Sequence, residues 1–421
     1  MRTSPAFPVV LILALLVPID GASSDRGAPS STAVALVGGT IHVSPDEDAI
    51  ADGVVLIRDG RIAAVGARAS VRIPGDAETV DCSGLTVVAG LWNSHVHFTE
   101  RKWADAANAP AGELGQQLQA MLVRYGFTSV FDTGSSWENT RRLRGRIESG
   151  EIPGPRIRST GEILFPPGGA PQPLILDVTG AMRLEMPEVA DAAAARAAAR
   201  TLLDAGADGI KVYAATWARP IVALPEEVIR AAVEEAHQRG KPVFAHPSNR
   251  QGLLAAIGGG ADVLVHTAPQ AGPWDEEILS AMQRANVALI PTLKLWRHEL
   301  RRDRLSELEH FAGLGVEQLR RWVAAGGEVL FGTDVGYMDD YDPGDEYALM
   351  AEAGMTASQI LRSLTTAPAA RFGDAERAGR IAAGLAADLT VLGEDPFIDV
   401  RAFGVVRYTI RDGRVIYRAS Q

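Results

Sequence analysis

Hydrophobic and polar positions follow two different patterns along the chain, and each predicts a different kind of structure. Near both ends, short apolar runs rich in β-branched residues alternate with turn residues. Asp59-Gly60 and Asp412-Gly413 in these regions are typical of tight hairpin turns. Between the ends, short apolar strands alternate with longer segments whose apolar residues recur at helical spacing. The pattern therefore predicts a β-rich part assembled from both ends of the chain around a middle of alternating strands and helices.

The alternating middle predicts eight strands, each followed by a helix. The predicted strands end at these residues: His97, Asp132, Thr160, Tyr213, His246, His266, Pro291 and Gly332. Eight such units over roughly 280 residues are the expectation for a (β/α)8 TIM barrel. We therefore predict an α/β fold with a TIM barrel over residues 89–375. Residues 32–88 and 376–421 are expected to form a small composite β-sandwich domain.

The first 22 residues predict a secretory signal peptide, and residues 23–31 a linker. Arg2 supplies the positive start, an apolar run follows, and Gly21-Ala22 are small residues before a serine-rich stretch. The single cysteine, Cys82, can form no internal disulfide, so core burial must stabilise the exported protein. The expected location is the periplasm or the medium, without stable membrane insertion once the signal is removed.

Composition and charge narrow the classes of partner. The chain has 421 residues, 47% of them hydrophobic and 22% charged, which is typical of a folded globular protein. Its formal net charge of −11 argues against nucleic acid as a partner. The expected partner is a small-molecule substrate, and association into a homo-oligomer is left open.

Chemically active residues fall near the predicted carboxyl ends of the strands, where TIM barrels carry their active sites. They are His95, His97, Lys211, His246, His266 and Asp334. Any one of them alone is better interpreted as an ordinary core or capping residue, but their shared position favours a metal site. Nitrogen and carboxylate ligands favour Zn²⁺ over Mg²⁺ or Ca²⁺. A buried lysine converted by CO₂ into a carbamate would supply a carboxylate able to bridge two ions.

Several motifs resemble those of the amidohydrolase superfamily, in particular its imidazolonepropionase-like and Xaa-Pro dipeptidase-like branch. The matching segments are residues 88–97, 126–134, 154–157, 206–211, 332–334, 366–370 and 379–392. The resemblance covers nearly everything after the linker and implies a metal-dependent hydrolase with a composite β domain packed on the barrel. Ala89 and Asn93 stand where the family commonly has proline and aspartate.

The resemblance also implies a division of the ligands between two divalent cations. By position, His95, His97 and Asp334 would bind the more buried ion. His246 and His266 would bind the more exposed ion, and Lys211 would bridge both as its carbamate. Two cations acidify a shared water and give a metal-bridging hydroxide. Asp334 would pass its proton to the leaving amine. The expected reaction is hydrolysis of an amide bond in a dipeptide or N-acyl amino acid.

Other reactions on the same fold stay open. One alternative is a mononuclear deaminase or a cyclic amide or imidate hydrolase, and another is hydrolysis of a lactone, ester or organophosphate. The mononuclear type generally lacks the lysine on strand 4 and carries a glutamate shortly after the strand-5 histidine. Here Lys211 is present, and residues 247–249 after His246 include no glutamate. A barrel kept only as a binding module would predict eroded ligands, and all six candidates are present.

Four further residues near the same rim are candidate substrate contacts: Tyr213, Thr267, Lys294 and Tyr337. Tyr213 shares the face of Lys211 in a regular strand. The Lys294 ammonium would suit a substrate carboxylate, and an ordinary surface role is equally compatible with the sequence.

The signal sequence gives the first prediction. We expect export with removal of about 22 residues, because the positive start, the apolar run and the small residues fit signal-peptidase processing. N-terminal sequencing of protein recovered from the periplasm or medium measures this directly. An intact Met1 on protein from the cytoplasmic fraction would contradict it.

Overall fold

The described part of the chain consists of residues 33–170, 186–216, 221–303 and 308–420 of a computed structural model. Residues 32–421 form one compact unit. The predicted signal and linker, residues 1–31, lie outside the described residues, and the predicted domain boundaries stay predictions. Among the described residues, no helix is long and apolar enough to cross a membrane.

Strands from both ends of the chain form one sheet. They are β1 Val34–Ile41, β2 Ile50–Arg58, β3 Arg61–Ala67, β4 Glu78–Asp81, β5 Thr86–Ala89, β14 Leu389–Leu392, β15 Val406–Arg411 and β16 Arg414–Arg418. The order is β16–β15–β14–β5–β1–β2–β3, with β4 also paired to β1. The predicted composite origin is therefore present.

The predicted sandwich of two sheets is not confirmed, because the described strands of this region belong to a single sheet. The long strand β1 explains the difference. Residues 34–37 pair with β4, and residues 40–41 pair with β5, on either side of an irregularity at Gly39. Both neighbours thereby attach to the same edge of β1 and extend one sheet instead of starting a second.

The middle of the chain forms two parallel sheets. Their strands are β6 Leu91–Val96, β7 Phe127–Asp132, β8 Arg156–Ser159, β9 Ile163–Leu164, β10 Ile210–Tyr213, β11 Val243–His246, β12 Val263–Val265 and β13 Ala288–Ile290. One sheet has the order β6–β7–β8, and the other β13–β12–β11–β10–β9. The architecture is TIM-barrel-like α/β, but these strands do not form one continuous closed sheet.

Helices connect and follow these strands. The described helices are α1 Ala111–Met121, α2 Trp137–Glu148, α3 Ala192–Asp204, α4 Glu226–His237, α5 Arg250–Gly258, α6 Glu276–Arg284, α7 Leu293–Asp303, α8 Leu308–Ala324, α9 Gly344–Glu352, α10 Ala357–Leu364 and α11 Thr366–Arg371. Sequence periodicity did not predict α7, α9 or α11. Helix α10 begins with a capping box, in which Thr356 and Gln359 exchange side-chain and backbone hydrogen bonds.

The eighth barrel strand, predicted at residues 329–332, is not a regular strand. The segment 329–335 instead makes single parallel bridges, from Val329 to β13 and from Val335 to β6. Gly332 explains its position, since a Cβ there would lie 2.4 Å from an Ile290 methyl and 2.8 Å from the Cβ of His95. Glycine lets the segment approach both sheets, and Asp334 N donates to the carbonyl of His95 at 2.9 Å.

The interior between these strands is filled with apolar side chains below the rim. Trp92, Phe131, Phe244, Val265 and Ile290 belong to one buried cluster. Irregular pairing of β6 between residues 93 and 96 interrupts its register with β7. The residues that follow the carboxyl ends of these strands, which form the rim, therefore lie next to a buried apolar cluster.

Candidate metal centre

A buried carboxylate and two imidazoles meet at the end of β6. The Oδ1 atom of Asp334 lies 3.0 Å from Nε2 of His95 and 3.0 Å from Nε2 of His97. The two Nε2 atoms are 3.1 Å apart. The two imidazoles therefore converge on one place, and Asp334 joins them from the neighbouring segment.

His266 completes a compact group of potential ligands. His95, His266 and Asp334 each offer a ligand atom, and these atoms lie within 4.8 Å of one another. His246 is next to this group, with its ring centroid 4.7 Å from that of His266. It is also stacked on Tyr213, at 4.0 Å and an interplanar angle of 10°, because the two residues are partners on adjacent strands.

The backbone at two of these residues is left-handed. His266 has φ of +75° and Asp334 has φ of +63°. Val263 and Val265 belong to the interior cluster, so a regular continuation of β12 would aim the next side chain outward. The left-handed turn at His266 directs the imidazole back to the rim, which is why β12 ends one residue earlier than predicted.

Lys211 lies on β10 and is buried, with 2% of its surface exposed. Burial lowers the pKa of Lys211 to about 7, against the opposing attraction of Asp334 and Asp132. An amine with such a pKa is largely uncharged in mildly alkaline conditions, and only the uncharged amine reacts with CO₂. The environment is thus compatible with the predicted carbamate.

Burial and mutual contacts set the protonation states of the histidines and of the carboxylate. Burial lowers the pKa of His95 to about 3 and lowers the pKa of His246 and His266 well below the ordinary value. Burial alone would raise the pKa of Asp334, but attraction and hydrogen bonding by the histidines lower it well below its usual range. Near neutral pH these three imidazoles are uncharged and the carboxylate is ionised, which are the forms that ligate metals.

The ring nitrogens that face away from the centre have their own partners. His97 donates its Nδ1–H to the carbonyl oxygen of Gly134 at 2.8 Å. Nδ1 of His95 lies 2.9 Å from the hydroxyl of Thr133, and Nδ1 of His266 lies 2.5 Å from that of Thr292. Each Nε2 is consequently turned inward. Converging imidazole nitrogens and a carboxylate oxygen fit a divalent cation such as Zn²⁺.

A buried aspartate that was not among the predicted site residues supports His97. Asp132 ends β7 and accepts hydrogen bonds from the hydroxyls of Ser135 at 2.6 Å and Ser159 at 2.7 Å. It also accepts from the backbone N–H of Gly134 at 3.3 Å, the residue whose carbonyl receives His97. The position of Asp132 at a strand end was the available signal in the sequence.

Thr267 and Tyr337, two of the proposed substrate contacts, have partners within the protein. The Thr267 hydroxyl accepts from the indole N–H of Trp296 at 2.8 Å. The Tyr337 hydroxyl donates to Glu299 at 2.7 Å. Both contacts fasten α7, which was not predicted, to neighbouring parts of the rim.

Lys294, the third, is buried and points into the loop that follows Asp334. Its Nζ lies 3.0 Å from the carbonyl of Asp340, 2.5 Å from that of Asp342 and 2.9 Å from the Asp340 carboxylate. These three acceptors match the three protons of an ammonium. Because these acceptors already bind the Lys294 ammonium, the structure does not support the predicted contact with a substrate carboxylate.

Glu346 holds the same helix from the other side. Its carboxylate accepts from the backbone N–H groups of Leu293 at 2.9 Å and Lys294 at 2.7 Å, at the start of α7. Burial raises the pKa of Glu346 to about 7, opposed by these hydrogen bonds and by Lys294. A negative charge at a helix N-terminus is favourable, so Glu346 and Lys294 together position α7 beside the centre.

The family of the protein follows from sequence comparison. The amidohydrolase family matches the chain over residues 86–416. The chain therefore belongs to the amidohydrolase family, and it is a hydrolase acting on carbon–nitrogen bonds.

Individual relatives agree with this assignment. The chain is similar to an ochratoxinase from Aspergillus niger, with 25% identity over an alignment of 413 residues covering 88% of this chain and 83% of the relative. Among solved structures, it is similar to a Bifidobacterium longum protein assigned as a prolidase, at 25% identity and a TM-score of 0.78, covering 93% and 96% of the two chains. A prolidase complexed with N-methylphosphonate-L-proline gives 26% identity and a TM-score of 0.76, covering 92% and 100%.

The contacts of Lys294 predict a loss of stability when the ammonium is removed. Lys294→Met should lower the free energy of unfolding by about 2 kcal/mol, because hydrogen bonds to a charged group are lost inside the protein. Urea unfolding followed by circular dichroism measures this, with Lys241→Met before β11 as the control. Unchanged unfolding combined with a large rise in KM would instead assign Lys294 to the substrate.

Proposed function

We propose that this protein is a metal-dependent amidohydrolase that cleaves the amide bond of a dipeptide or an N-acyl amino acid. Two divalent cations, with Zn²⁺ favoured, would be held by the six residues at the rim. The observation that carries the proposal is the buried Asp334 carboxylate, 3.0 Å from Nε2 of both His95 and His97 and grouped with His266. Without a bound cation, the imidazole nitrogens and the carboxylate oxygen would be buried facing one another, which would destabilise the fold.

The names of similar structures support this substrate class. One carries the name prolidase and holds N-methylphosphonate-L-proline, an amino-acid derivative substituted on its nitrogen. An N-acyl amino acid and a dipeptide share that pattern of a substituted nitrogen beside a carboxylate. The Aspergillus niger relative carries the name ochratoxinase, so the choice among acyl groups is the open part of the proposal.

Asp334 is the residue that would move the proton. Cations bound at the rim would supply Lewis acidity, polarising the scissile carbonyl and lowering the pKa of water. The Asp334 carboxylate is ionised near neutral pH, so one of its oxygens can accept the proton that a water loses on attack. The same oxygen can then deliver that proton to the nitrogen of the leaving amine.

The remaining residues of the set would hold and orient. As the family resemblance implies, His95 and His97 would bind one cation with Asp334, and His246 and His266 would bind the other. Lys211, as a carbamate, would add a second carboxylate between them. An unmodified ammonium in this place would be repelled by two divalent cations, by several kcal/mol even at an effective dielectric constant of about 20.

The proton-transfer role predicts a specific kinetic loss. Asp334→Asn should lower kcat on the order of 10³-fold, within the usual contribution of general acid–base groups, while much of the bound metal is retained. The assay is amine release from a panel of N-acyl amino acids and Xaa-Pro dipeptides with added zinc, beside metal analysis of each protein. Asp204→Asn, an exposed residue at the end of α3, serves as the control. Wild-type turnover in Asp334→Asn would refute the role, and a wild-type protein inactive on the whole panel would refute the substrate class.

The proposed carbamate predicts a change in metal content. Wild-type protein reconstituted with zinc and bicarbonate should bind close to two ions per chain, as two-metal hydrolases do. Lys211→Met, which keeps an unbranched apolar side chain, should bind fewer ions and lose activity, and wild-type reconstitution should slow when CO₂ is excluded. Inductively coupled plasma mass spectrometry gives the stoichiometry. One ion in both proteins, with activity retained in Lys211→Met, would mean that Lys211 bridges nothing.

A further inference from the structure

Thr292 occupies an unusual place beside the candidate centre. It lies two residues after β13, and its hydroxyl oxygen lies 2.5 Å from Nδ1 of His266. The two residues are neighbours because β12 and β13 pair in parallel and the backbone N–H of His266 donates to Ile290 at 2.8 Å. The contact is fully inside the protein, since Thr292 has no exposed surface and His266 has 4%.

The hydroxyl of Thr292 has an acceptor of its own. It donates to the carbonyl oxygen of Pro291 at 2.9 Å. A hydroxyl has a single proton and two lone pairs, so with its proton on Pro291 it is free to accept from a neighbour. The neighbour at hand is Nδ1 of His266, which must then carry the hydrogen. In a neutral imidazole, this leaves the lone pair on Nε2, the nitrogen that faces Asp334 at 4.0 Å.

The backbone at Thr292 is a second, independent observation. Its φ is +43°, in the left-handed region that β-branched residues rarely adopt. Among the described residues, the non-glycine residues with positive φ are mostly Asp and Asn, and the others are Ser248, His266 and Thr292. These three all follow barrel strands at the rim. Backbone strain of this kind persists where the surrounding structure needs the side chain in one place.

We propose that Thr292 is a positioning residue that selects the Nδ1–H tautomer of His266 and thereby presents Nε2 as a metal ligand. The inference rests on the metal-binding part of the proposed function and adds a residue that acts through His266 without touching the metal. Removing the hydroxyl would leave a buried Nδ1–H without an acceptor. The alternative tautomer would then be favoured, because its Nε2–H faces the Asp334 carboxylate.

The test compares three variants of the full-length protein. Thr292→Val keeps the shape and branching of the side chain but removes the hydroxyl, whereas Thr292→Ser keeps the hydroxyl. Thr390→Val is the matched control, because Thr390 is also buried and donates its hydroxyl to a backbone carbonyl, that of Gly126 at 2.8 Å. If Thr292→Val does not fold, Thr292→Ala against Thr292→Ser isolates the hydroxyl in the same way.

Two readouts are used. Nitrogen-15 labelling of histidine and two-bond proton–nitrogen correlation in the metal-free protein report the tautomer of His266, assigned with a His266→Gln spectrum. Zinc affinity is measured by competition with a chelating dye. We expect the Nδ1–H form in wild type and Thr292→Ser, the Nε2–H form in Thr292→Val, and zinc binding in Thr292→Val weaker by about 10- to 100-fold.

The outcomes separate this inference from the proposed function. An Nδ1–H signal and wild-type zinc affinity in Thr292→Val would overturn the inference while leaving the metal centre intact. Equal losses of zinc affinity in Thr292→Val and Thr390→Val would also overturn it, since any buried hydroxyl would then have the same effect. A wild-type protein that binds no zinc would refute the proposed metal centre, whereas a tautomer change confined to Thr292→Val would still support the role of Thr292.

Discussion

The arrangement at the rim depends on the burial of one carboxylate. An isolated ionised carboxylate taken out of water costs several kcal/mol, and Asp334 is 4% exposed. A cation held by Asp334 would offset this cost, and the imidazoles of His95 and His97 at 3.0 Å and of His266 nearby are placed to bind it as well. Those side chains come from different segments, so the strand ends must meet at one point for the carboxylate to be tolerated. The close approach at Gly332 and the left-handed turns at Asp334 and His266 are local consequences of that requirement.

The contacts around the rim form two supporting groups. On the side of β6 and β7, Asp132 organises the loop that receives His97. On the side of β13, Glu346 and Lys294 anchor the start of α7 and tie it to the loop after Asp334. Each group buries a charge and pairs it with backbone atoms, which fixes loop geometry more strictly than apolar contact alone.

The strands of the barrel and most of the candidate ligands could be predicted from the sequence, because barrel strands are short apolar runs. Those runs predict where the strands lie, and the histidines at their ends indicate which edge of the barrel carries the chemistry. The predicted sandwich at the chain ends is not confirmed. An irregularity in β1 lets two neighbouring strands join the same edge, and hydrophobic alternation does not encode that pairing. Lys294 was assigned to a substrate because a strand-end position does not reveal whether a loop will fold back to supply carbonyl oxygens. Thr292 was missed because a threonine after a proline carries no chemical signal until His266 is placed beside it.

The outward hydrogen-bond partners of the imidazoles influence how strongly those imidazoles would donate electrons to a bound cation. His97 faces a peptide carbonyl through Nδ1, and His95 and His266 face threonine hydroxyls. In the described structure these outward partners are neutral. A carboxylate in that position would raise the basicity of an imidazole, whereas a neutral partner leaves it a weaker electron donor. Weaker donors leave more positive charge on a cation that they hold, which favours polarisation of a carbonyl and acidification of water. The ionised carboxylate is instead on the inner side, at Asp334, where the proposed mechanism would have it accept a proton. Asp334 would thus combine metal binding with proton transfer, whereas the imidazoles, whose outward contacts are neutral, would serve metal binding alone.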